Sequence, residues 1–308
     1  MDKHLINDLP NFRPNKKPVK NTVNEVIYHV VGIILSLAFI LPILYMLATS
    51  TKSEFAYAES MGSVNMFLPD LANLGTAFEN YKNVLINYDV WKYALTTCVY
   101  AGIVIVLNVL VNGIAGYAMA KLIFPGKKLL SFLIIFLIVV PVETSIIPLY
   151  TIVKRMLGLD GTLSVLAIIL PATISIFNIF LFMQFFQNIP RDYEEAARMD
   201  GANTLQVFLK VIMPLSKPII ATVSVFCFIG VWNDYIWPSM VFRNQSSIGS
   251  WPLLPIQKAI DTITNGTTGI TTGEVMAALV ITSIPIFVIY VAAQKYIVKG
   301  FGTAGLKM

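Results

Sequence analysis

The sequence predicts an all-α integral membrane protein with six transmembrane helices. Hydrophobic residues make up 56% of the chain and charged residues only 13%, and the mean hydropathy is +0.72. A soluble domain does not need that much apolar surface. The apolar residues are also gathered in six continuous runs, whereas the strands of a membrane barrel would alternate between apolar and polar residues.

The six apolar runs are the predicted spans, and they divide the chain into three parts. Each run, at about 1.5 Å per residue, is long enough to cross a hydrocarbon core of about 30 Å. The leader, residues 1–26, is polar and basic and lacks the apolar core of a signal peptide, so we expect no cleavage. The transmembrane domain covers residues 27–294, and a tail follows at 295–308. The predicted spans are residues 27–48, 93–118, 129–152, 163–186, 219–240 and 275–293.

The positions of lysine and arginine predict the orientation of the spans. With the amino terminus in the cytoplasm, fifteen of these 22 residues lie on the inner side and seven on the outer side. This asymmetry follows the positive-inside rule and places both termini in the cytoplasm. Lys154 and Arg155 are exceptions on the outer side. Because the basic residues form no patch interleaved with aromatic residues, the net charge of +5 predicts no nucleic-acid partner.

The predicted cytoplasmic loop between the fourth and fifth spans, residues 187–218, carries the signals of two short helices. In the first helix, Asp192 lies three residues before Glu195, which predicts a helix start of the capping-box type. Glu194 and Arg198 lie four residues apart, a spacing at which opposite charges support a helix.

The second short helix is predicted directly after the first. Gly201 is expected to end the first helix, Asn203 is a candidate N-cap, and Gln206 follows it by three residues. Pro214 and Pro218 are expected to end the second helix. Four apolar residues recur with helical spacing and predict a face that packs on the membrane helices: Leu205, Phe208, Leu209 and Ile212.

The turn between these helices resembles a known motif. Residues 195–202 read Glu-Ala-Ala-Arg-Met-Asp-Gly-Ala, which is similar to the EAA motif of ATP-binding-cassette importer permeases. More narrowly, the chain resembles the carbohydrate-uptake permeases of the maltose and glycerol-phosphate type. Further segments carry this resemblance in the family's order: Gly116-Tyr117-Ala118, Phe124-Pro125-Gly126-Lys127, Pro148-Leu149-Tyr150, Gly158-Leu159, Trp232-Asn233-Asp234-Tyr235 and Gln294-Lys295.

The resemblance implies that this loop is an ATPase-coupling site, because in the family the helix-turn-helix docks into a groove on an ATPase subunit. Glu195 would present a carboxylate to a basic partner, and Ala196 and Ala197 would allow close approach. Gly201 would supply the sharp turn. The residues alone leave an alternative, an amphipathic interfacial hairpin that only joins two spans. The candidate coupling residues are Glu194, Glu195, Ala196, Ala197, Asp200, Gly201 and Ala202.

The resemblance also implies the location and the partners of the chain. It would lie in the bacterial inner membrane with a second homologous permease subunit, two ATP-binding-cassette ATPase subunits and an extracytoplasmic sugar-binding protein. ATP and Mg²⁺ would be bound by the ATPases, since this chain has no G-x-x-x-x-G-K-[ST] loop. His4 and His29 are isolated, and we expect no catalytic site, metal or cofactor here. Cys98 and Cys227 are expected to be small buried apolar residues.

Two ionisable residues within the predicted spans are candidates for a translocation path. Burying a charge in lipid costs about 3 kcal/mol or more, so Glu143 and Asp234 are expected to face the bundle interior or water. Glu143 is otherwise expected to be protonated or hydrogen-bonded within the bundle. Trp232 and Asn233, beside Asp234, offer an aromatic face and polar groups suited to a sugar. They equally fit an anchor at the membrane interface.

The predicted outer loop, residues 241–273, is rich in glycine and threonine and is expected to be flexible. In the resembled permeases the corresponding loop reaches into the sugar-binding protein. The alternative is a solvated connector. The candidate contact residues are Asn265, Gly266, Thr267, Thr268 and Gly269.

These observations predict a permease subunit of an ATP-driven importer of a carbohydrate, with an oligosaccharide as the first choice. Glycerol phosphate or another polyol derivative is the alternative substrate. A self-sufficient secondary transporter or channel is the alternative class. Such transporters often show inverted repeats with broken midplane helices in matching halves, a pattern not clear in this sequence.

Overall fold

The structure is a computed structural model that describes residues 22–242, 247–266 and 269–305. It is built from helices and one two-stranded antiparallel hairpin. The α-helices are α1 Thr22–Thr49, α2 Glu54–Ser60, α3 Leu74–Lys82, α4 Val90–Lys121, α5 Lys127–Ile138, α6 Ile146–Tyr150, α7 Ser164–Thr173, α8 Ile176–Gln187, α9 Asp192–Met199, α10 Thr204–Val207, α11 Met213–Leu215, α12 Lys217–Asn233, α13 Ile236–Val241, α14 Ile256–Gly266 and α15 Thr272–Gly305. The strands are β1 Ser247–Ile248 and β2 Trp251–Pro252.

Short helices of other types connect these elements. The 3₁₀ turns are Val64–Phe67, Val142–Ser145 and Gly161–Leu163. The π-helical segments are Asn83–Asn87, Thr151–Met156 and Phe208–Ile212.

Four helical segments of the described chain are long and apolar enough to cross a membrane by themselves. They are Glu25–Thr49, Val90–Lys121, Gly161–Gln187 and Thr272–Gln294. Two pairs of consecutive helical segments are strongly bent where they join. If each pair is one span, the number of candidate spans rises to six. The helical membrane class is therefore confirmed, and the number six stays a prediction. The bent pairs are Lys127–Ile138 with Val142–Met156 at 103°, and Thr204–Leu215 with Lys217–Asn233 at 82°.

The third predicted span is not one continuous helix, which corrects the sequence expectation for residues 129–152. Helix α5 ends at Ile138, and helical structure resumes in the 3₁₀ turn that follows Pro141. Proline lacks a backbone N–H and disfavours a helical conformation in the residue before it. The bend falls at Pro141, one of the two prolines, with Pro148, that lie on either side of Glu143.

The fourth predicted span is broken between α7 and α8. Ser175 caps α8, accepting a hydrogen bond from the Asn178 backbone N–H at 3.3 Å. Across the break, Asn112 of α4 donates its side-chain amide to the Thr173 carbonyl at 2.9 Å and accepts the Ser175 N–H at 3.1 Å. A break within a membrane segment is tolerated when neighbouring side chains satisfy the freed backbone groups.

The last two predicted spans also have different bounds from those expected. The fifth, residues 219–240, is α12 followed by α13, with a break at Asp234, whose carboxylate accepts the Trp237 backbone N–H at 3.2 Å. The sixth, residues 275–293, is α15, which continues through the described part of the predicted tail. A capping box that was not predicted, Thr271 with Glu274, begins α15.

Helix α4 is the centre of the bundle, and α7, α8 and α12 pack on it. Gly116 lets α4 and α8 approach closely, since a Cβ atom there would lie 2.6 Å from the Cβ of Phe182. By contrast, α1 lies outside this core, and every described residue from 26 to 44 is exposed. An apolar helix exposed on all sides suits contact with lipid.

Candidate functional site

The predicted helix-turn-helix between the fourth and fifth spans forms in the structure. Gly201 has a φ of +85°, the left-handed conformation expected of the turn. The Ala202 N–H donates to the Ala197 carbonyl at 2.9 Å and closes the end of α9. Asn203 and Gln206 form the predicted capping box, with both hydrogen bonds at 2.9 Å. These local predictions are confirmed.

The start of α9 differs from the prediction. Arg191 occupies the N-cap position, Asp192 is the first helical residue, and no side chain caps the helix. The capping-box prediction for Asp192 and Glu195 is therefore wrong. Acidic residues in the first turn still suit the positive end of the helix dipole.

The candidate coupling residues separate into an exposed group and an inward group. Glu195, Ala196, Asp200 and Gly201 are exposed to solvent, whereas Ala197 and Ala202 are half-buried. Glu194 is buried. The exposed candidates thus include two carboxylates and one small side chain, and Asp192 and Arg198 are also exposed on α9.

Glu194 makes a buried ion pair with Lys121, the last residue of α4. The Lys121 Nζ lies 3.1 Å from Glu194 Oε1, and the two side chains are 4% and 10% exposed. The Tyr117 hydroxyl donates to Glu194 Oε2 at 3.2 Å, and Lys121 also donates to the Ile189 carbonyl. The sequence had suggested Arg198 as the partner of Glu194, because only the local spacing is visible there.

The second helix packs with a different face from the predicted one. Phe208 and Ile212 are buried as expected, but Leu205 and Leu209 are 59% and 47% exposed. Val207 is fully buried in their place. Leu205 and Val207 both lie in α10, so the buried face already differs from the predicted one before the π-helical segment Phe208–Ile212 begins.

A cavity of about 770 Å³ lies where the breaks of the third and fourth predicted spans meet α4 and α12. Pro141 and Pro171 line it, as do the ends of the broken helices. None of the described residues that line it is charged. Its polar lining residues are Asn108, Ser145, Ser175, Asn178 and Cys227.

Two asparagines hold the polar wall of this cavity. Asn178 donates its side-chain amide to Asn108 Oδ1 at 2.9 Å and to Cys227 Sγ at 3.5 Å. Asn108 donates to the Ala172 carbonyl at 3.3 Å. Neither asparagine was predicted from the sequence, although an amide inside an apolar run is a signal that could have identified them.

The predicted path residues lie around the cavity and do not line it. Glu143 is exposed in the 3₁₀ turn, between the lining residues Val142 and Ser145. Asn233 is exposed, and Asp234 is half-buried, with its carboxylate accepting the Trp237 backbone N–H near the start of α13.

Trp232 is buried within the bundle. Its side chain is 1% exposed, and its indole N–H donates to the Thr282 carbonyl at 3.0 Å. Its ring stacks on Phe228 with 5.4 Å between centroids. This placement favours the anchoring interpretation of Trp232 over contact with a sugar.

The described part of the predicted outer loop forms regular secondary structure. It folds into the β1–β2 hairpin and α14, and its middle returns to the amino-terminal end of α4. The backbone carbonyls of Pro252 and Leu253 accept hydrogen bonds from Thr96 at 2.9 Å and Tyr100 at 2.8 Å. Of the candidate contact residues, Asn265 and Gly266 end α14, Gly269 has a φ of +87°, and Thr267 and Thr268 lie outside the described residues.

Metal-binding residues do not cluster in the described part of the chain. No group of three or more His, Cys, Asp or Glu residues there is arranged to hold a metal ion. His4 lies outside the described residues, and His29 is close to the Glu25 carbonyl. Cys227 is buried as expected, but Cys98 is exposed on α4, which corrects that prediction.

The chain is similar to known transport proteins over most of its length. Residues 113–302 match the family described as binding-protein-dependent transport system inner membrane component. The diacetylchitobiose uptake system permease protein NgcG of Streptomyces coelicolor is 30% identical over 87% of this chain and 84% of its own length. The sn-glycerol-3-phosphate transport system permease protein UgpE of Yersinia pestis is 33% identical over 74% of this chain and 75% of its own.

A solved structure shares the fold. It is the crystal structure of a bacterial ABC transporter involved in the import of the acidic polysaccharide alginate. One chain of it superposes with a TM-score of 0.72 and 27% sequence identity, covering 89% of this chain and 96% of that one.

Proposed function

The chain belongs to the family of binding-protein-dependent transport system inner membrane components, and from this we propose that it is the permease subunit of an importer of an oligosaccharide. As an ABC importer permease of the bacterial inner membrane, it has no ATPase of its own, and partner subunits hydrolyse the ATP. Membership of this family decides against a self-sufficient secondary transporter or channel.

The proposed complex contains four kinds of protein. This chain would pair with a second homologous permease, and two ATPase subunits would bind ATP and Mg²⁺ on the cytoplasmic side. An extracytoplasmic binding protein would deliver the substrate. The proposed orientation places both termini of the chain, together with α9 and α10, in the cytoplasm and α14 on the outer side.

The uncharged cavity supports a neutral carbohydrate as the substrate. Sugar hydroxyls can exchange hydrogen bonds with hydroxyl groups such as those of the lining residues Ser145 and Ser175. A phosphate dianion would lose its hydration there without meeting a cation among the described lining residues. The similarity to UgpE keeps glycerol phosphate as the second candidate. Uptake assays that compare a neutral oligosaccharide with glycerol phosphate would separate the two.

The exposed surface of α9 carries the proposed coupling site. Glu195 and Asp200 offer carboxylates to a basic groove, and Ala196 allows the two surfaces to approach closely. The left-handed Gly201 turns the chain directly after this surface. We assign no coupling contact to Glu194, because its side chain is buried against Lys121.

Two further assignments complete the proposal. Glu143, at the mouth of the break beside the cavity, is a candidate for contact with the passing substrate. Asn265, Gly266 and Gly269, with Thr267 and Thr268, are candidates for contact with the binding protein.

Glu195→Lys tests the coupling site. The change turns an attraction for a basic groove into a repulsion, and like charges at a desolvated interface cost several kcal/mol. We expect the variant to insert normally but to retain less ATPase on purification and to lose uptake. Copurification of the ATPase and transport of the labelled sugar measure the two effects.

Glu59→Lys is the matched control, since Glu59 is an exposed carboxylate on α2, outside the proposed coupling surface. It should behave like the wild type in both assays. A Glu195→Lys complex with normal ATPase retention and normal uptake would remove the coupling role of this surface.

A further inference from the structure

Helix α4 connects three functional regions of the molecule without a break. It has 32 residues and contains no proline, which gives a length of about 48 Å. At its amino-terminal end it is hydrogen-bonded to the predicted outer loop, residues 241–273, called the outer segment below, with Thr97 Oγ1 accepting the Ile256 N–H at 2.8 Å. In its middle, Asn108 and Asn112 hold the break of the fourth span beside the cavity. At its carboxyl-terminal end, Lys121 is paired with Glu194.

The Lys121–Glu194 pair is well suited to be a rigid connection. Lys121 lies at the carboxyl end of α4 and Glu194 in the first turn of α9, so each charge is favoured by the dipole of its own helix. The Tyr117 hydroxyl donates to Glu194 Oε2, and Lys121 Nζ donates to the Ile189 carbonyl. Within the described residues, Glu194 Oε1 makes no hydrogen bond, so its contact with Lys121 is a buried charge–charge contact at 3.1 Å. Because each of the two side chains is also hydrogen-bonded to a third group, their separation and direction are restrained.

Building on the proposed function, we propose that the Lys121–Glu194 pair makes α9 and α4 move as one body. The outward carboxylates of α9 would receive the motion of the ATPase, and the inward carboxylate would pass it to α4. Helix α4 would then carry the displacement to the cavity and to the outer segment. Glu194 and Lys121 are therefore positioning residues that act between the partner surface and the path.

The same connection works in both directions, because coupling between two sites is reciprocal. A binding protein that engages the outer segment would signal along α4 to the ATPase surface. Loss of the pair should accordingly weaken both substrate uptake per ATP and the stimulation of ATP hydrolysis by the binding protein.

The deciding variant is the double substitution Lys121→Met with Glu194→Gln. It removes both charges at similar side-chain size, so no unpaired charge is left buried and the chain is expected to fold. In the reconstituted complex with its ATPase and binding protein, we expect normal ATPase retention and normal basal hydrolysis. Uptake per ATP and the binding-protein-stimulated part of hydrolysis should each fall by about tenfold, within the usual range of coupling between sites.

Two further variants complete the test. The exchange Lys121→Glu with Glu194→Lys restores an ion pair and should recover part of the coupling. Lys128→Met removes an exposed lysine near the start of α5 and should change nothing.

The outcomes separate this inference from the proposed function. Normal uptake per ATP in the double variant would overturn the inference. A parallel loss of ATPase retention and basal hydrolysis, without recovery in the exchange variant, would also overturn it, because the pair would then only support the docking surface. Failure of the wild-type chain to copurify with an ATPase would instead overturn the proposed function.

Discussion

Single side chains replace backbone hydrogen bonds that proline and helix breaks remove. Pro171 has no N–H to donate to the carbonyl of Ala167, four residues earlier in α7. The indole N–H of Trp237 donates to that carbonyl at 2.9 Å, from α13. Trp237 therefore satisfies a group that would otherwise be unpaired in an apolar environment, where the cost is high.

Close packing at Gly116 gives a prediction at the scale of one residue. Gly116→Ala would place a methyl group 2.6 Å from the Phe182 Cβ and 3.0 Å from the Met183 backbone nitrogen, and neither atom can move alone. We expect the helices to separate at a cost of about 1–3 kcal/mol. A lower thermal unfolding midpoint of the detergent-solubilised protein measures this loss.

Gly102→Ala is the control for this prediction. It lies in the same helix, and a Cβ atom there would meet nothing within 4 Å. Its midpoint should equal or slightly exceed that of the wild type, because alanine restricts the unfolded chain more than glycine does. Equal midpoints for Gly116→Ala and Gly102→Ala would show that α4 and α8 are not in close contact at Gly116.

Elements that look continuous in the sequence are broken in the structure, and the breaks surround one cavity. The breaks after Ile138 and after Thr173 both contribute to its lining. Each break frees backbone groups, which can lie at membrane depth only beside protein partners or a cavity. The helix breaks therefore form part of the cavity wall, and the cavity lies beside the backbone groups that the breaks free.

Asn112→Ala tests the support of the break between α7 and α8. The change leaves the Thr173 carbonyl and the Ser175 N–H without their partner, and each unpaired group costs about 1–3 kcal/mol. We expect faster hydrogen exchange at residues 174–178 and a lower unfolding midpoint.

Asn188→Ala is the matched control, since Asn188 is an exposed residue whose side chain bonds to the Gln184 carbonyl within the end of α8. It should leave the exchange at residues 174–178 unchanged. Wild-type exchange in Asn112→Ala would mean that the break does not depend on this side chain.

Local interactions account for several of the basic residues on the proposed outer side, including Lys154. Lys154 is held by Asp160 at 2.7 Å and also donates to the Leu159 carbonyl, so it serves a local turn. Lys258 is paired with Asp261, and their hydrogen bond holds the pKa of Asp261 below its ordinary value. Burial lowers the pKa of Lys52, which bonds to Ser60. Several cations on the proposed outer side thus make ion pairs or hydrogen bonds that stabilise local structure.

The proposed orientation can be tested with two engineered cysteines. Met199 is 84% exposed at the end of α9, and Asn265 is exposed near the end of α14. In a background with Cys98→Ser, a membrane-impermeant maleimide added to intact cells should label Asn265→Cys and not Met199→Cys. Permeabilised cells should give labelling of both, which controls for access. Labelling of both sites in intact cells would contradict the proposed topology.

Features that depend on neighbouring residues could be predicted from the amino-acid sequence. The apolar runs identified a helical membrane protein, because the bilayer requires long continuous apolar segments. Gly201 and the Asn203–Gln206 capping box were predicted correctly, because a turn conformation and a cap are set within a few residues. The motif at residues 195–202 indicated the family for the same reason, since its eight residues are contiguous in the chain.

Partners that meet across the bundle are visible only in the folded chain. The pairing of Glu194 with Lys121 joins residues 73 positions apart, and local spacing had suggested Arg198 instead. The α7–α8 break was likewise hidden, because its missing bonds are supplied by Asn112 from another helix. Apolar periodicity reports that a segment is buried in lipid or protein, but it holds no information about which distant side chain completes its hydrogen bonds.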